Sequence, residues 1–292
     1  GAVGRRCLVF LMCRNCVDAA AGYVGFLRRG IVPVLLAENL DTSMLEGLLE
    51  SYRPAYFYVP IEKAYELSGA MVWRSESYTL LHLPYEQDYK LSDELALLLT
   101  TSGSTGSPKL VRQSLQNIEA NTQAIVEYLD ILPEDRAITT LPMQYTYGLS
   151  ILHSHLYAGA AVILTDKTLM EKSFWVLLEE QKATTFGGVP YIYEILKKLR
   201  FNRMDFPSLR YLTQAGGKLP KERAEEFIQI CKEKNMKFIV MYGQTEATAR
   251  MAYLPWEYAE SKAASIGPFL AVSCGWQMGR VIPFWSQRLP EN

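Results

Sequence analysis

Thr100 to Lys109 reads Thr-Thr-Ser-Gly-Ser-Thr-Gly-Ser-Pro-Lys, a run of hydroxyls and two glycines that closes on a single cation. It follows the apolar run Leu95 to Leu99, so it sits where a buried strand ends and a loop begins. Residues of these types suit a polyphosphate. Gly103 and Gly106 can take positive φ and turn amide hydrogens into a concavity. Thr101, Ser102, Ser104 and Thr105 add hydroxyl donors, and Lys109 adds charge. The nucleoside-triphosphate loop G-x-x-x-x-G-K-[ST] does not fit, because Pro108 has no amide hydrogen to donate and Leu110 has no oxygen for magnesium. A flexible Ser/Gly linker is the bland alternative, yet linkers seldom follow a buried strand and end on one lysine. A second strand-to-loop junction carries different chemistry: Tyr242-Gly243-Gln244-Thr245-Glu246 follows the apolar run Phe238 to Met241 and offers a ring, a hydroxyl and a carboxylate in five residues.

Together these segments resemble the adenylate-forming (AMP-binding) superfamily of acyl-CoA and aryl-CoA synthetases, peptide-synthetase adenylation domains and luciferases. Thr101 to Lys109 matches that family's TSG-[ST]-TG-x-PK loop in order and spacing, and Tyr242 to Glu246 matches its YGxTE. Leu141-Pro142, Tyr147-Gly148-Leu149 and Leu156 to Ala160 resemble its LP, [FY]-G-L and L-x-x-G-A elements. Val189-Pro190, Ala215-Gly216-Gly217-Lys218-Leu219 and Ser265-Ile266-Gly267 resemble three more. The similarity covers about residues 5 to 267.

The resemblance implies a two-step ligase. A carboxylate attacks the α-phosphate of ATP, pyrophosphate leaves, and a thiol such as CoA takes the acyl group. The implied roles follow residue by residue. Lys109 and the hydroxyl loop hold the β- and γ-phosphates; Tyr242 lies against adenine; Gly216, Gly217 and Lys218 admit the base edge; Gly243 and Gln244 complete the turn. Thr245 meets the α-phosphate and Glu246 holds Mg²⁺, so Lys109, Thr245 and Glu246 form the implied catalytic set. Tyr145, Tyr147, Val189 and Tyr191, with Gly216, would line the acyl pocket. An aspartate that would meet an α-ammonium group is missing from Gln144-Tyr145-Thr146-Tyr147, which leans the substrate toward a neutral acyl or aryl acid.

Composition agrees with a cytoplasmic enzyme. The 292 residues carry a net charge of −1, which gives no electrostatic reason to expect nucleic acid. No apolar run is long enough to span a bilayer, and no signal-peptide pattern opens the chain. Five cysteines, odd in number and unevenly spaced, suit a reducing compartment. Cys13-Arg14-Asn15-Cys16 has the C-x-x-C spacing of redox proteins, but without a redox-domain pattern around it we read the thiols as small core residues. His82, His153 and His155 show no metal-ligand spacing, and His155 is expected to be a packed helix residue. Oligomeric state is not legible.

Strands and helices must position these loops. Apolar runs predict strands at Leu8–Met12, Val32–Leu36, Ala55–Val59, Leu95–Thr100, Ala137–Leu141, Ala161–Leu164, Thr184–Gly187, Tyr211–Gln214 and Phe238–Tyr242. Helical segments fall between them, among them Thr42–Tyr52, Ser114–Leu129, Lys172–Lys182, Tyr191–Arg200 and Lys221–Glu233. The alternation predicts an α/β fold with mainly parallel sheets packed with helices, part of the family's N-terminal domain, with ligands at strand ends. The organisation expected is a partial N-terminal α/β region over residues 1–90, a nucleotide- and acyl-binding region over 91–267, and a tail over 268–292, with the family's C-terminal lid absent. Moving the frame by two nucleotides turns Trp276 to Gly279 into a hairpin signal, so the tail reads as a frameshift product. An inactive remnant that at most binds ATP is the alternative to an active ligase.

Overall fold

The computed structural model describes residues 6–65, 67–86, 89–100, 110–263 and 265–268. The loop Thr101–Lys109 and the tail beyond residue 268 lie outside the described residues. The chain divides into two compact units, one reaching to Ile118 and one starting at Glu119.

In the first unit, β1 (Leu8–Cys13) is buried along its whole length. Such a strand belongs at the centre of a parallel sheet with both faces covered. Helix α1 (Val17–Arg28) buries Ala19, Ala20, Tyr23 and Phe26 and returns the chain to β2 (Val32–Ala37), which pairs parallel with β1, Phe10 opposite Val34. Helix α2 (Thr42–Tyr52) then leads to β3 (Tyr56–Pro60), parallel to β1 on its other side, and to the single turn α3 (Ile61–Ala64). A hairpin of β4 (Ala70–Arg74) and β5 (Tyr78–His82) extends that edge. On the opposite edge β6 (Leu95–Thr100) pairs parallel with β2, and β7 (Leu110–Ser114) pairs antiparallel with β6, giving the order β4-β5-β3-β1-β2-β6-β7. Phe10, Val34, Leu48, Phe57 and Leu98 form the core under α2.

Asp41 caps α2, its carboxylate accepting from the Ser43 amide at 2.9 Å and the Met44 amide at 3.4 Å. These are donors that the first turn of a helix otherwise leaves unpaired. Asp41→Ala should lower the midpoint of a urea titration, and an unchanged midpoint would mean that water replaces the cap.

The division falls inside α4 (Leu115–Leu129). β6, the strand before the hydroxyl loop, joins β2 and so belongs to the first sheet.

The second unit runs β8 (Arg136–Ile138), α5 (Thr146–Tyr157), β9 (Ala161–Ile163), α6 (Lys172–Glu180), β10 (Thr185–Gly188), α7 (Pro190–Lys198), β11 (Tyr211–Gln214), α8 (Lys221–Glu233), β12 (Lys237–Gln244) and β13 (Ala249–Tyr253). Its order is β13-β12-β11-β10-β8-β9, parallel throughout except where β13 turns back along β12. Aromatic rings fill its core: Tyr193 meets Phe227 and Phe238 edge-on, with centroids at 4.9 and 5.2 Å. The fold is thus mixed α/β, as the alternation predicted. The antiparallel strands β4, β5, β7 and β13 were not expected: β4, β7 and β13 are edge strands, which need no continuous apolar run, and every residue of β4 is exposed, while β5, paired on both sides, breaks its buried apolar run with Thr79.

Cys7, Cys13 and Cys231 are buried, and burial pushes the Cys231 thiol up to about 12, a poor starting point for redox chemistry. Among the described residues no helix is long and apolar enough to cross a membrane.

Candidate nucleotide and acyl site

Tyr242, Gly243 and Gln244 end β12, a single 3₁₀ turn spans Thr245–Ala247, and the chain reverses into β13. The reversal is tight. Thr248 and Ala249 both take positive φ, +59° and +96°, and a Cβ on Gly243 would lie 1.7 Å from the Ala249 carbonyl oxygen. Only glycine lets the two strands approach so closely, and the pairing register shifts at this point. Strain of this kind holds the turn in one shape and presents Tyr242, 40% exposed, and Glu246, exposed, to solvent.

One strand over, β11 ends at Gln214 and the chain continues Ala215-Gly216-Gly217-Lys218. Gly216 has φ +76°, and a Cβ there would meet the Tyr145 hydroxyl at 2.3 Å. The Gln214 side-chain amide pins the turn by donating to the Gly217 carbonyl at 2.9 Å. These two strand ends face one pocket of about 330 Å³, lined by Gly216, Gly217, Lys218, Tyr242 and Gly243. Residues separated by some 25 positions in sequence thus share one concavity at the carboxyl ends of parallel strands, where α/β folds bind ligands.

Behind Gly216 stands an aromatic wall. Tyr145 precedes α5 and Tyr147 lies in its first turn, with ring centroids 6.4 Å apart. The Tyr147 hydroxyl bonds Thr213 Oγ1 at 2.7 Å and fills the space beside Gly187, and Val189 packs against Gly216. Burial raises the phenols of both tyrosines above their ordinary range, so they stay neutral. Tyr191 stands apart: it is 68% exposed on α7. His155 is buried on α5 and its ring is packed, as expected.

Three contributors had no role in the sequence pattern. Gln214 could have been found as the polar residue that ends an apolar strand just before a double glycine. Thr213 and Arg250, whose guanidinium lies over the Tyr147 ring 5.1 Å from its centroid, gave no signal, since each is one residue in a short strand. For Thr101, Ser102, Gly103, Ser104, Thr105, Gly106 and Lys109 the structure describes only the flanking strands, in which Thr100 pairs with Leu110.

A strand-end pocket of glycines and one ring, on a mainly parallel α/β sheet, lies where such folds bind ligands. The chain belongs to the AMP-binding enzyme family, the adenylate-forming superfamily, whose pattern matches residues 2–276. It is 31% identical over 160 residues to the medium-chain fatty-acid–CoA ligase of Escherichia coli K12, covering 53% of this chain and 27% of that protein. It is 28% identical over 192 residues to the 2-succinylbenzoate–CoA ligase of Enterococcus faecalis, covering 66% and 38%. The N-terminal domain of FACL13 from Mycobacterium tuberculosis superposes with a TM-score of 0.75 at 20% identity, covering 92% of this chain and 70% of that one. The matches therefore span roughly a quarter to two fifths of these curated relatives.

Proposed function

We propose that this chain supplies the nucleotide- and acyl-binding part, residues 91–267, of an ATP-dependent acid–thiol ligase acting in the cytoplasm. A carboxylate oxygen attacks the α-phosphorus of ATP, the bond to the bridging oxygen breaks, and pyrophosphate leaves with that electron pair. A thiol, CoA by family precedent, then displaces AMP. The observation that supports this most directly is the pocket joining Gly216, Gly217 and Lys218 to Tyr242 and Gly243.

Each residue has a physical part in that reaction. Tyr242 offers a ring face to the base, and the bare Gly216–Gly217 backbone leaves room for the base edge. Thr245 donates to the α-phosphate, where negative charge builds, and Lys109 with its hydroxyl loop compensates the departing pyrophosphate. Glu246 is an exposed carboxylate on a fixed turn, a donor that fits Mg²⁺, which keeps most of its water and takes one or two protein carboxylates beside phosphate oxygens. That ion would supply charge neutralisation of the phosphates. Names of relatives point to acyl and aryl acids, in line with the neutral pocket that Tyr145, Tyr147 and Val189 suggest.

Carboxylate-dependent exchange of labelled pyrophosphate into ATP, over a panel of acids, tests the proposal. Exchange should appear with an acyl or aryl acid. Tyr242→Ala should raise the KM for ATP about tenfold, the value of one lost base–aromatic stack. Exchange with no acid, or a KM indifferent to Tyr242, would refute it.

A further inference from the structure

A second cavity of the second unit, about 540 Å³ in volume, lies at the opposite end of β12 from the nucleotide pocket. Lys237 begins that strand and lines the cavity, whereas Tyr242 is five residues on, roughly 17 Å away at the rise of an extended chain. The walls are aromatic: Tyr128 of α4, Tyr211 of β11, Tyr253 of β13 and Trp256 just beyond it all line the space. Two of the hydroxyls are engaged elsewhere. Tyr128 donates to the Met241 sulfur at 2.9 Å and accepts from Arg250 Nη1 at 3.2 Å, and the Tyr211 hydroxyl lies 3.5 Å from His155 Nε2. What these residues leave to the cavity is ring surface. Tyr128 also stacks on Tyr253 with centroids 4.2 Å apart, which makes a double panel. Glu127 and Glu257 stand at the exposed margin, and neither carboxylate has an ion pair or a hydrogen bond among the described residues.

Rings and carboxylates together suit a cation. The negative face of an aromatic ring attracts positive charge, most strongly where water is displaced. The fold already uses this attraction here, since the Arg210 guanidinium lies 5.9 Å from the centroid of the Tyr211 ring. Lys237 is the only cation in the described lining, and two carboxylates against one ammonium leave that lining with a net charge of −1. The kind of cation follows from the walls. A primary ammonium carries three donors and is strongly hydrated, so ring surface repays little of the water it gives up. An alkylated ammonium has no such donors to satisfy, and its methyl groups gain by leaving water for the rings. We infer that this cavity binds a quaternary ammonium ligand, its methyl groups against Trp256 and the tyrosine panel and its charge balanced by Glu127 and Glu257. The site stands apart from the nucleotide pocket, and the inference does not rest on the ligase reaction.

Calorimetric titration with choline, set against neohexyl alcohol, its uncharged carbon isostere, tests the inference. Wild type should bind choline about tenfold more tightly than the alcohol, the worth of a partly desolvated cation over rings. Ethanolamine, which keeps the charge without the methyl groups, should bind about fivefold more weakly than choline. Glu127→Gln and Glu257→Gln should each weaken choline about threefold and leave the alcohol unchanged, because both carboxylates are exposed. Lys237→Gln removes a like charge and should tighten choline by a similar factor. Trp256→Leu keeps apolar bulk without the ring and should bring the choline-to-alcohol ratio toward one. Choline that binds no better than the alcohol, or no better than ethanolamine, overturns the inference. So does choline binding indifferent to both glutamates and to Lys237, and so does displacement by AMP, which would put the ligand in the nucleotide pocket. Should Trp256→Leu fail to fold, the exposed variants and the three wild-type ligands decide alone.

Discussion

Gly243→Ala is expected to destabilise the second unit by on the order of 4 kcal/mol, a value reserved for substitutions with a specific steric cause. The cause is backbone against backbone. The added methyl would sit 1.7 Å from the Ala249 carbonyl oxygen and 2.7 Å from its carbon, and no side-chain rotation relieves that contact. Either β13 lifts away from β12, with loss of the pairs Tyr242–Ala252 and Gly243–Arg250, or the Thr245–Ala249 turn rebuilds. Both moves displace Tyr242 and Glu246. A urea titration should show the midpoint drop, and residual folded protein should bind ATP far more weakly than wild type. A control separates this from the general effect of adding a methyl group. A methyl added at Gly25, exposed on α1, would meet nothing within 4 Å, and Gly25→Ala should stabilise by about 1 kcal/mol through helix propensity. If Gly243→Ala behaves like Gly25→Ala, the close approach at the turn is not what fixes the site.

The same turn shows what a sequence can disclose. Central strands are legible because burial on both faces forces long apolar runs: Leu8–Cys13 and Val32–Ala37 announce themselves. Edge strands are not, since Ala70–Arg74 is wholly exposed and Leu110–Ser114 mixes polar and apolar residues. Glycines at strand ends are legible as places where φ turns positive or backbone comes close, and Gly216 and Gly243 do one or both. That the two face one pocket is a property of strand order: β11 and β12 are neighbours, so their carboxyl ends are neighbours too. Arg250 was illegible for the opposite reason. An arginine in a short strand ordinarily points to water, and only packing by α5 and Tyr128 shows that this one does not. Tyr191 differs from its motif neighbours: Val189 and Pro190 lie close to Gly216 and Gly217, while Tyr191 itself is exposed.

Acid should destabilise the second unit through His155, by about 3 kcal/mol between pH 6.5 and 4. Burial, with the Arg250 guanidinium nearby, lowers the proton affinity of this imidazole from the usual 6.5 to about 4, against the smaller opposing pull of the Ile151 carbonyl. Its Nδ1 lies 2.9 Å from that carbonyl and so carries the hydrogen, while Nε2 has only the Tyr211 hydroxyl at 3.5 Å. A second proton on the ring would have no good acceptor. The sign follows directly. Below pH 6.5 the unfolded chain takes up a proton that the fold refuses, so stability is complete above 6.5 and falls as pH drops toward 4. Below 4 the folded ring is protonated too and the loss levels off. His153, lowered by burial to about 4 as well, titrates over the same range, and carboxylates such as Glu194, held below its ordinary value by a hydrogen bond from Arg223, add their own loss at lower pH, so the wild-type curve alone would not isolate the His155 imidazole. The difference between wild type and His155→Gln does. Gln cannot titrate, so the variant starts less stable at pH 7.5 and the gap should close as the pH approaches 4. Parallel stability curves from pH 7 to 4 would mean that the ring takes its proton inside the fold, and that Ile151 and Tyr211 can accommodate the charge. Because α5 also carries Tyr147 and Ser150, the acid transition should release Arg250 with it, and fluorescence of the tyrosine wall should change over the same pH range as the urea midpoint.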